Sequence, residues 1–181
     1  MKIDIKEKIE IPKDVQIKVD GALIQVKGPK GEISRKFLHP KVKVGVKENQ
    51  VLIASKKATK REKKIIGTFK AHFKNMLKGV VEPFVYKLKI CSSHFPMTAS
   101  VKDNEFSIQN FLGENVPRTL LFKKGVNIKV EGTDVIVESP DKELAGQTAA
   151  SIEQLCKITN RDRRIFQDGI YIVSKAGKKI K

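Results

Sequence analysis

The chain has 181 residues, of which 40% are hydrophobic and 31% charged, a balance that supports packed cores and excludes a disordered chain. Its 37 lysines and arginines outnumber its 20 acidic residues and give a net charge of +17, so we expect an acidic partner. No apolar run approaches the roughly 18 to 20 residues of a membrane span, and the first residues are unlike a secretory signal. These features predict a soluble protein of the cytoplasm.

The first half of the chain shows five short segments with the alternation typical of β-strands, separated by polar turns. They cover residues 15–19, 23–27, 32–37, 42–46 and 51–54, and we expect them to form an antiparallel meander. The Gly28-Pro29-Lys30-Gly31 segment is a hairpin-type connection. Residues 58–80 then carry apolar side chains at helical spacing, with Gly79 as the stop, which predicts an amphipathic helix that covers the sheet.

The second half repeats this order. Residues 85–91, 98–102, 105–109, 120–122, 126–130 and 135–138 read as strands, and a helix follows. Ser139 is the predicted N-cap, with Pro140 at the first helical position. The predicted buried face of this helix consists of Leu144, Thr148, Ile152 and Leu155.

Matched segments indicate that the two halves are an internal duplication. VKVGVKENQVLIAS resembles VNIKVEGTDVIVES, and Gly31-Glu32 in one half matches Gly113-Glu114 in the other. The sequence therefore predicts an α+β fold of two tandem duplicated domains, each an antiparallel β-sheet covered by one amphipathic helix. We expect an N-terminal domain over 1–80, a C-terminal domain over 81–174 and a basic tail over 175–181.

Basic residues are unevenly distributed between the halves. Residues 1–80 hold 21 basic and 8 acidic groups, whereas the second domain concentrates its basicity after its helix, with 8 basic and 2 acidic groups from Lys157 onward. Arginine suits phosphate oxygens in bidentate geometry, and lysine acts as a point charge. The residues predicted to contact nucleic acid are Arg161, Arg163, Arg164, Gln167, Lys175, Lys178, Lys179 and Lys181.

Three further residues have two interpretations. Phe166 and Tyr171 can stack on an unpaired base or pack into the domain core, and core packing is slightly favoured. Lys30 lies in a glycine-rich hairpin that lacks the ending of a phosphate-binding loop, but its ammonium can still contact a phosphate.

The segment NRDRRIFQDGIYIV resembles the end of the sixth protein of the large ribosomal subunit, in its archaeal and eukaryotic branch. Residues 9–37, IEIPKDVQIKVDGALIQVKGPKGEISRKF, resemble the opening of that family, and SSHFPM resembles the loop that opens its second domain. The likeness covers nearly the whole chain. Bacterial relatives usually carry a Lys-Gly-rich segment where this chain has RIFQDGIYI. The RNA contacts of bacterial tails therefore indicate the type of contact expected here, but not the individual residues that make it.

The resemblance implies a structural constituent of the ribosome, bound to large-subunit ribosomal RNA near the base of the stalk. It also implies that the second domain lies close to the sarcin–ricin loop region, where translation factors bind, beside neighbouring ribosomal proteins. The tail would be the chief RNA anchor, and the first domain would project toward the surface.

Other chemistry is poorly supported by the residues. His39, His72 and His94 do not have the spacing of a metal motif, Ser92 and Ser93 lack a nucleophile-elbow pattern, and no cofactor motif occurs. We expect a local loop hydrogen bond for His94, core positions for Cys91 and Cys156, and no enzymatic activity. A general nucleic-acid-binding protein of the nucleoid type and a protein-interaction module remain the alternatives.

Overall fold

The computed structural model describes residues 3–12, 14–47 and 50–180. The chain divides into two compact units, Met1–Pro83 and Phe84–Lys181, each with its own hydrophobic core. Each unit combines antiparallel β-sheets with one α-helix. The predicted α+β class is confirmed.

In its described residues, unit 1 contains six strands before its helix, which runs over Lys60–Val81 (α1). The strands are β1 (Ile3–Glu10), β2 (Gln16–Asp20), β3 (Leu23–Gly28), β4 (Gly31–Lys36), β5 (Lys43–Lys47) and β6 (Gln50–Ala58).

These strands form two three-stranded sheets, so the prediction of one meander is wrong. β2, β3 and β4 do follow one another, but β6 lies between β5 and β1 in the second sheet. The sequence interpretation missed β1, although isoleucine alternates with polar residues along it. Ile9 of β1 pairs with Val51 of β6 and is buried, which explains why this alternation produces a strand.

A capping box starts α1. The Thr59 side chain accepts a hydrogen bond from the backbone N–H of Arg61, and the Glu62 carboxylate accepts one from the Thr59 backbone N–H at 2.8 Å. Hydrogen bonds from the Thr59 hydroxyl and the Thr59 backbone N–H to the Glu62 carboxylate lower the pKa of Glu62 to about 2. Ile66, Phe73 and Val80 face the core as predicted, but the helix continues past Gly79 to Val81.

The glycine-rich hairpin of unit 1 closes against the end of α1. Gly28 pairs with Gly31, and the Lys30 backbone N–H donates to the Val80 carbonyl at 2.9 Å. A Cβ atom on Gly28 would lie 2.8 Å from atoms of Val80. The hairpin predicted at this segment is confirmed, and the close approach to the helix explains the glycine at position 28.

Over residues 84–180, unit 2 contains eight strands, a short 3-10 helix (Phe111–Gly113) and the helix α2 (Lys142–Leu155). The strands are β7 (Phe84–Cys91), β8 (Thr98–Lys102), β9 (Glu105–Gln109), β10 (Arg118–Leu121), β11 (Asn127–Glu131), β12 (Asp134–Ser139), β13 (Gly169–Lys175) and β14 (Lys178–Lys179).

The sheets of unit 2 reproduce those of unit 1 and then extend them. β8, β9 and β10 correspond to β2, β3 and β4, while the order β11-β12-β7 corresponds to β5-β6-β1. Two strands after α2 add to this sheet, since β13 pairs with β7 and β14 pairs with β13. Lys175 and Lys178–Lys179 therefore belong to strands rather than to a free tail.

Asp141, and not Ser139, is the N-cap of α2. The Asp141 carboxylate accepts a hydrogen bond from the Glu143 backbone N–H at 2.9 Å. β12 continues through Ser139, which pairs with Phe84, and the Ser139 hydroxyl donates to the Gly125 carbonyl at 2.8 Å. Sheet pairing thus delays the helix start by two residues.

Arg118 binds the other end of α2. Its guanidinium donates to the Leu155 carbonyl at 2.7 Å and forms two hydrogen bonds, of 2.8 and 2.6 Å, with the Glu114 carboxylate. The carbonyl of Leu155 lacks a partner within the helix, so the arginine acts as a C-terminal cap. Arg118 is therefore a structural residue, although it is basic.

The core of unit 2 corrects two predictions. Thr148 and Ile152 are buried as predicted, but Leu144 and Leu155 are only half-buried, and Ala145 and Ala149 complete the buried face. Cys156 is a core residue, where burial raises the pKa of its thiol to about 11. Cys91 is exposed, because it lies on the face of β7 that points away from the core.

Candidate nucleic-acid interface

Alternation along β7 places two lysines on the outer face of the five-stranded sheet. Leu88 and Ile90 are buried, whereas Lys87 and Lys89 are exposed. Lys89 pairs with Tyr171 of β13. The sequence interpretation missed both lysines, although the alternation of β7 was visible and predicted their exposure.

β13 contributes to the same outer face. Ile170 is buried and Ile172 packs against the core, while Tyr171 and Val173 are 41% and 42% exposed and Lys175 is exposed. The two isoleucines thus complete the core of unit 2 from this strand. The preference for Tyr171 as a core residue is wrong, because that side chain points away from the helix.

The loop between α2 and β13 carries the three predicted arginines. Arg164 donates to the Asp162 carboxylate through Nε and Nη2, the latter at 2.7 Å, yet its side chain remains 90% exposed. The hydrogen bond from Arg164 lowers the pKa of Asp162. Gln167 is also held within the loop, since its side-chain amide donates to the Arg164 carbonyl at 3.1 Å.

Phe166 holds the loop against another part of unit 2. Its ring stacks on the His94 imidazole with centroids 4.9 Å apart, and the guanidinium of Arg161 lies 5.0 Å from its centroid. Phe166 is half-buried and lies outside the core cluster. Core packing is therefore also the wrong interpretation for Phe166. Its ring instead holds the guanidinium of Arg161 in place.

Asp168 ties the arginine loop to the loop that follows β7. Its buried carboxylate accepts hydrogen bonds from the backbone N–H groups of Ser93 and His94, the latter at 3.1 Å, and contacts the His94 imidazole. Burial raises the pKa of Asp168, but these hydrogen bonds outweigh it and lower the pKa to about 2. The predicted hydrogen bond of His94 thus exists, but its partner is 74 residues away.

Ser93, His94 and Asp168 do not have the arrangement of a catalytic triad. The Ser93 hydroxyl lies 3.4 Å from His94 Nδ1, and the Asp168 carboxylate contacts the same nitrogen. A proton relay places its two partners on different ring nitrogens. The cluster is therefore a loop anchor.

A tight hairpin presents the last lysines. Ala176 and Gly177 have φ values of 49° and 83°, which reverse the chain between β13 and β14. The Ser174 hydroxyl donates to the Lys178 carbonyl at 3.2 Å, and Lys178 and Lys179 are exposed. Lys181 lies outside the described residues.

The structure connects several predicted residues within unit 2. The Tyr171 hydroxyl donates to the Gln167 carbonyl at 3.1 Å, which joins the arginine loop to the outer sheet face. Lys30 belongs to unit 1 and is exposed at its hairpin. We name the unit 2 set the basic face; it comprises Lys87, Lys89, Arg161, Arg163, Arg164, Gln167, Tyr171, Lys175, Lys178 and Lys179.

The described part of the chain also bears on metal binding and membrane spanning. No cluster of three or more His, Cys, Asp or Glu side chains suited to a metal ion occurs among those residues. In the same residues, neither helix is long and apolar enough to cross a membrane.

A duplicated α+β fold with a basic face on its second unit is the arrangement expected of the nucleic-acid-binding class. Within that class, the chain belongs to the family described as Ribosomal protein L6, whose model matches residues 11–82 and 95–169, one match in each unit. This confirms the family resemblance, the duplication and the prediction of a structural protein of the large ribosomal subunit.

Two curated relatives support this assignment over nearly the full chain. The large ribosomal subunit protein uL6 of Nanoarchaeum equitans is 45% identical over 184 aligned positions, covering 97% of this chain and 96% of its own length. The protein of the same name from Methanococcus vannielii is 46% identical over 174 positions, covering 96% of each chain. Both relatives are archaeal, in agreement with the predicted branch.

Proposed function

We propose that this protein binds large-subunit ribosomal RNA near the base of the stalk, in the cytoplasmic ribosome, and that the basic face of unit 2 is its main RNA contact. The observation that carries the proposal is the convergence of an arginine loop, two outward lysines of β7 and the β13–β14 hairpin on one unit. Neighbouring ribosomal proteins would lie beside it, with translation factors nearby.

The chemistry of the basic face suits folded RNA. Exposed arginine and lysine side chains neutralise phosphates, and the release of condensed counterions favours binding. Arg161 on Phe166 and Arg164 on Asp162 are held in place before RNA arrives, which reduces the conformational entropy lost on binding. Tyr171 offers an exposed ring for stacking on a ribose or an unpaired base.

Lys87 and Lys89 provide the sharpest test, because a mutation there leaves the arginine loop intact. We expect the double substitution K87E/K89E to weaken binding to a stalk-base RNA fragment and to reduce the slope of log affinity against log salt by about one per lysine. Filter binding across a salt series measures both. The matched control is K123E/K124E, which reverses two exposed lysines of the same unit outside the basic face.

Two outcomes would contradict the proposal. Equal losses for both double variants would mean that net charge, and not the basic face, determines affinity. Equal affinity of the wild-type protein for the RNA fragment and for duplex DNA would favour the nucleoid-type alternative. Duplex DNA of matched length therefore belongs in every salt series.

A further inference from the structure

The two units differ at one sheet edge. In unit 2, β13 pairs with the edge of β7 that faces away from β12. In unit 1, β1 is the counterpart of β7, and its corresponding edge pairs with no strand among the described residues. An unpaired edge leaves a row of backbone N–H and C=O groups available to another extended chain.

The duplication gives the equivalent positions. Ile9 pairs with Val51 and Leu88 pairs with Val135, and these two valines match in the aligned β6 and β12 segments. The spacing between Gly67 and Gly146 in the helices equals the spacing between Ile9 and Leu88. Ile9 therefore corresponds to Leu88, and by the same spacing Lys74 corresponds to Glu153 and Leu77 to Cys156.

In unit 2 these positions hold β13. Leu88 pairs with Ile172, the Glu153 carboxylate accepts the Ile172 backbone N–H at 3.3 Å, and the Cys156 thiol interacts with the Ile170 backbone. Strand pairing on one side and helix contacts on the other thus fix the strand.

In unit 1 the equivalent positions line an open groove of about 580 Å³. Ile9 and Leu77 form its apolar floor, with the 40% exposed Val81 at one end. Lys8 and Glu10 flank Ile9 on β1. The groove therefore lies where a strand equivalent to β13 would pair with β1 and pack beneath α1.

The charges around the groove select the occupant. Lys8, Lys70, Lys74 and Lys78 line it against two acidic residues, Glu10 and Glu82. Lys70 already pairs with Glu7 at 2.7 Å, which leaves Lys8, Lys74 and Lys78 as the other basic groups. In unit 2 the Glu153 carboxylate of α2 reaches the backbone of β13. The equivalent helix position in unit 1 carries the ammonium of Lys74. A basic strand like β13 would be repelled here, whereas carboxylates on an incoming strand would find lysine partners.

We propose that the groove between β1 and α1 is a docking site for an extended, acidic segment of a partner protein, which adds to β1 as a fourth strand. Its apolar residues would cover Ile9, Leu77 and Val81, and its alternate acidic residues would face Lys74 and Lys78. RNA has no backbone that pairs with a strand edge, and a phosphate chain would leave the apolar floor uncovered. This inference concerns a different unit and a different partner from the basic face.

The test uses a peptide derived from the strand that fills the equivalent place. It carries residues 168–175 with Lys175→Glu and two added glutamates at each end. We expect it to bind the full chain with a dissociation constant below about 1 mM, a range that NMR titration measures well. The backbone amides of Lys8, Ile9 and Glu10 should shift and become protected from hydrogen exchange.

Variants on both sides of the contact separate strand addition from general attraction. On the protein, K74E/K78E should weaken peptide binding roughly tenfold, since each lysine becomes a repelling charge. K60E/K64E, the same double reversal on the exposed N-terminal part of α1, should change it less than about twofold. On the peptide, Tyr171→Pro should abolish binding to the wild-type chain. The Ile172 N–H points to the helix in unit 2, so the alternating Tyr171 N–H is the donor toward the neighbouring strand.

Several results would overturn the proposal. One is the absence of binding at 1 mM peptide. Another is a set of chemical-shift changes that map to β7 instead of β1. A third is an equal loss of peptide affinity in the two double variants. Displacement of the peptide by a single-stranded RNA oligonucleotide would assign the groove to RNA. Concentration-dependent dimerisation of the free chain through β1, detected by sedimentation, would assign it to a second copy. Unchanged NMR spectra of the variants outside α1 confirm that they are folded.

Discussion

Asp168 shows how one residue acquires a role that its position in the sequence did not reveal. It lies beside predicted RNA-binding residues, yet its carboxylate is buried and binds Ser93 and His94. A carboxylate that accepts several N–H groups stays charged even when it is buried. The geometry of the basic face thus depends on a buried acidic residue, because Asp168 fixes the loop that carries Arg161 and Phe166.

We predict that Asp168→Asn destabilises the protein by about 1–3 kcal/mol at pH 7, since it weakens charged hydrogen bonds to buried groups. The folded pKa, about 2, lies below the ordinary value of 3.8, so the stabilisation is present above pH 4 and is lost as the pH falls through about 2. Urea unfolding at pH 7 and pH 3 measures this difference.

The difference in unfolding free energy between wild type and Asp168→Asn should therefore narrow at pH 3. Asp162→Asn is the control, since that aspartate is exposed and its partner Arg164 is largely exposed. A loss of equal size at both aspartates, or one that does not depend on pH, would show that Asp168 does not have this role.

The same buried contact limits what the sequence could predict at the candidate site. The arginines and terminal lysines were identified because clustered charge is visible in the sequence. Lys87 and Lys89 were missed because only the inward-facing, apolar residues of their strand were considered, and not the outward-facing ones. Asp168 and His94 could not be paired from the sequence, since 74 residues separate them and no local pattern links them.

At the scale of elements, alternation and turn chemistry predicted most strands. β8 and β9 have the predicted bounds, because a clear alternation is closed by polar turn residues at each end. β13 and β14 were not assigned as strands, since their apolar residues lie among basic groups that suggested a tail. The start of α2 was misplaced because Ser139 fits an N-cap locally but is held by sheet pairing.

The β3–β4 hairpin and α1 provide a prediction about two elements in contact. We expect Gly28→Ala to destabilise unit 1 by about 1–3 kcal/mol, because the new Cβ would lie 2.8 Å from Val80, including its backbone oxygen. The hairpin would have to move and weaken the hydrogen bond from Lys30 to Val80. Thermal unfolding followed by circular dichroism measures the loss.

Gly45→Ala is the matched control in the same unit, since a Cβ there would meet nothing within 4 Å. It should leave stability unchanged or raise it slightly through the entropy of the unfolded chain. Equal destabilisation by both alanines would indicate that strand glycines matter for another reason, and that the close approach of Gly28 to α1 is not the cause.

At the scale of the whole molecule, charge and proposed function are divided between the units in opposite ways. Residues 1–83 carry 21 basic and 9 acidic groups, against 16 and 11 in residues 84–181. Counterion release depends on how many phosphates a surface can reach at once, and not on net charge alone. The arginine loop and hairpin of unit 2 concentrate their charge, while several lysines of unit 1 surround an apolar groove.

This division predicts that RNA affinity follows the basic face instead of the charge count. Each unit has its own core, so we expect fragments Met1–Pro83 and Phe84–Lys181 to fold separately. At 0.2 M salt, the second fragment should bind a stalk-base RNA fragment about as well as the full chain, and the first at least about tenfold more weakly. Filter binding measures both affinities, and circular dichroism checks that each fragment is folded. Tighter binding by the first fragment would mean that the 21 basic groups of unit 1 form the anchor, and the basic face would then lose its assigned role.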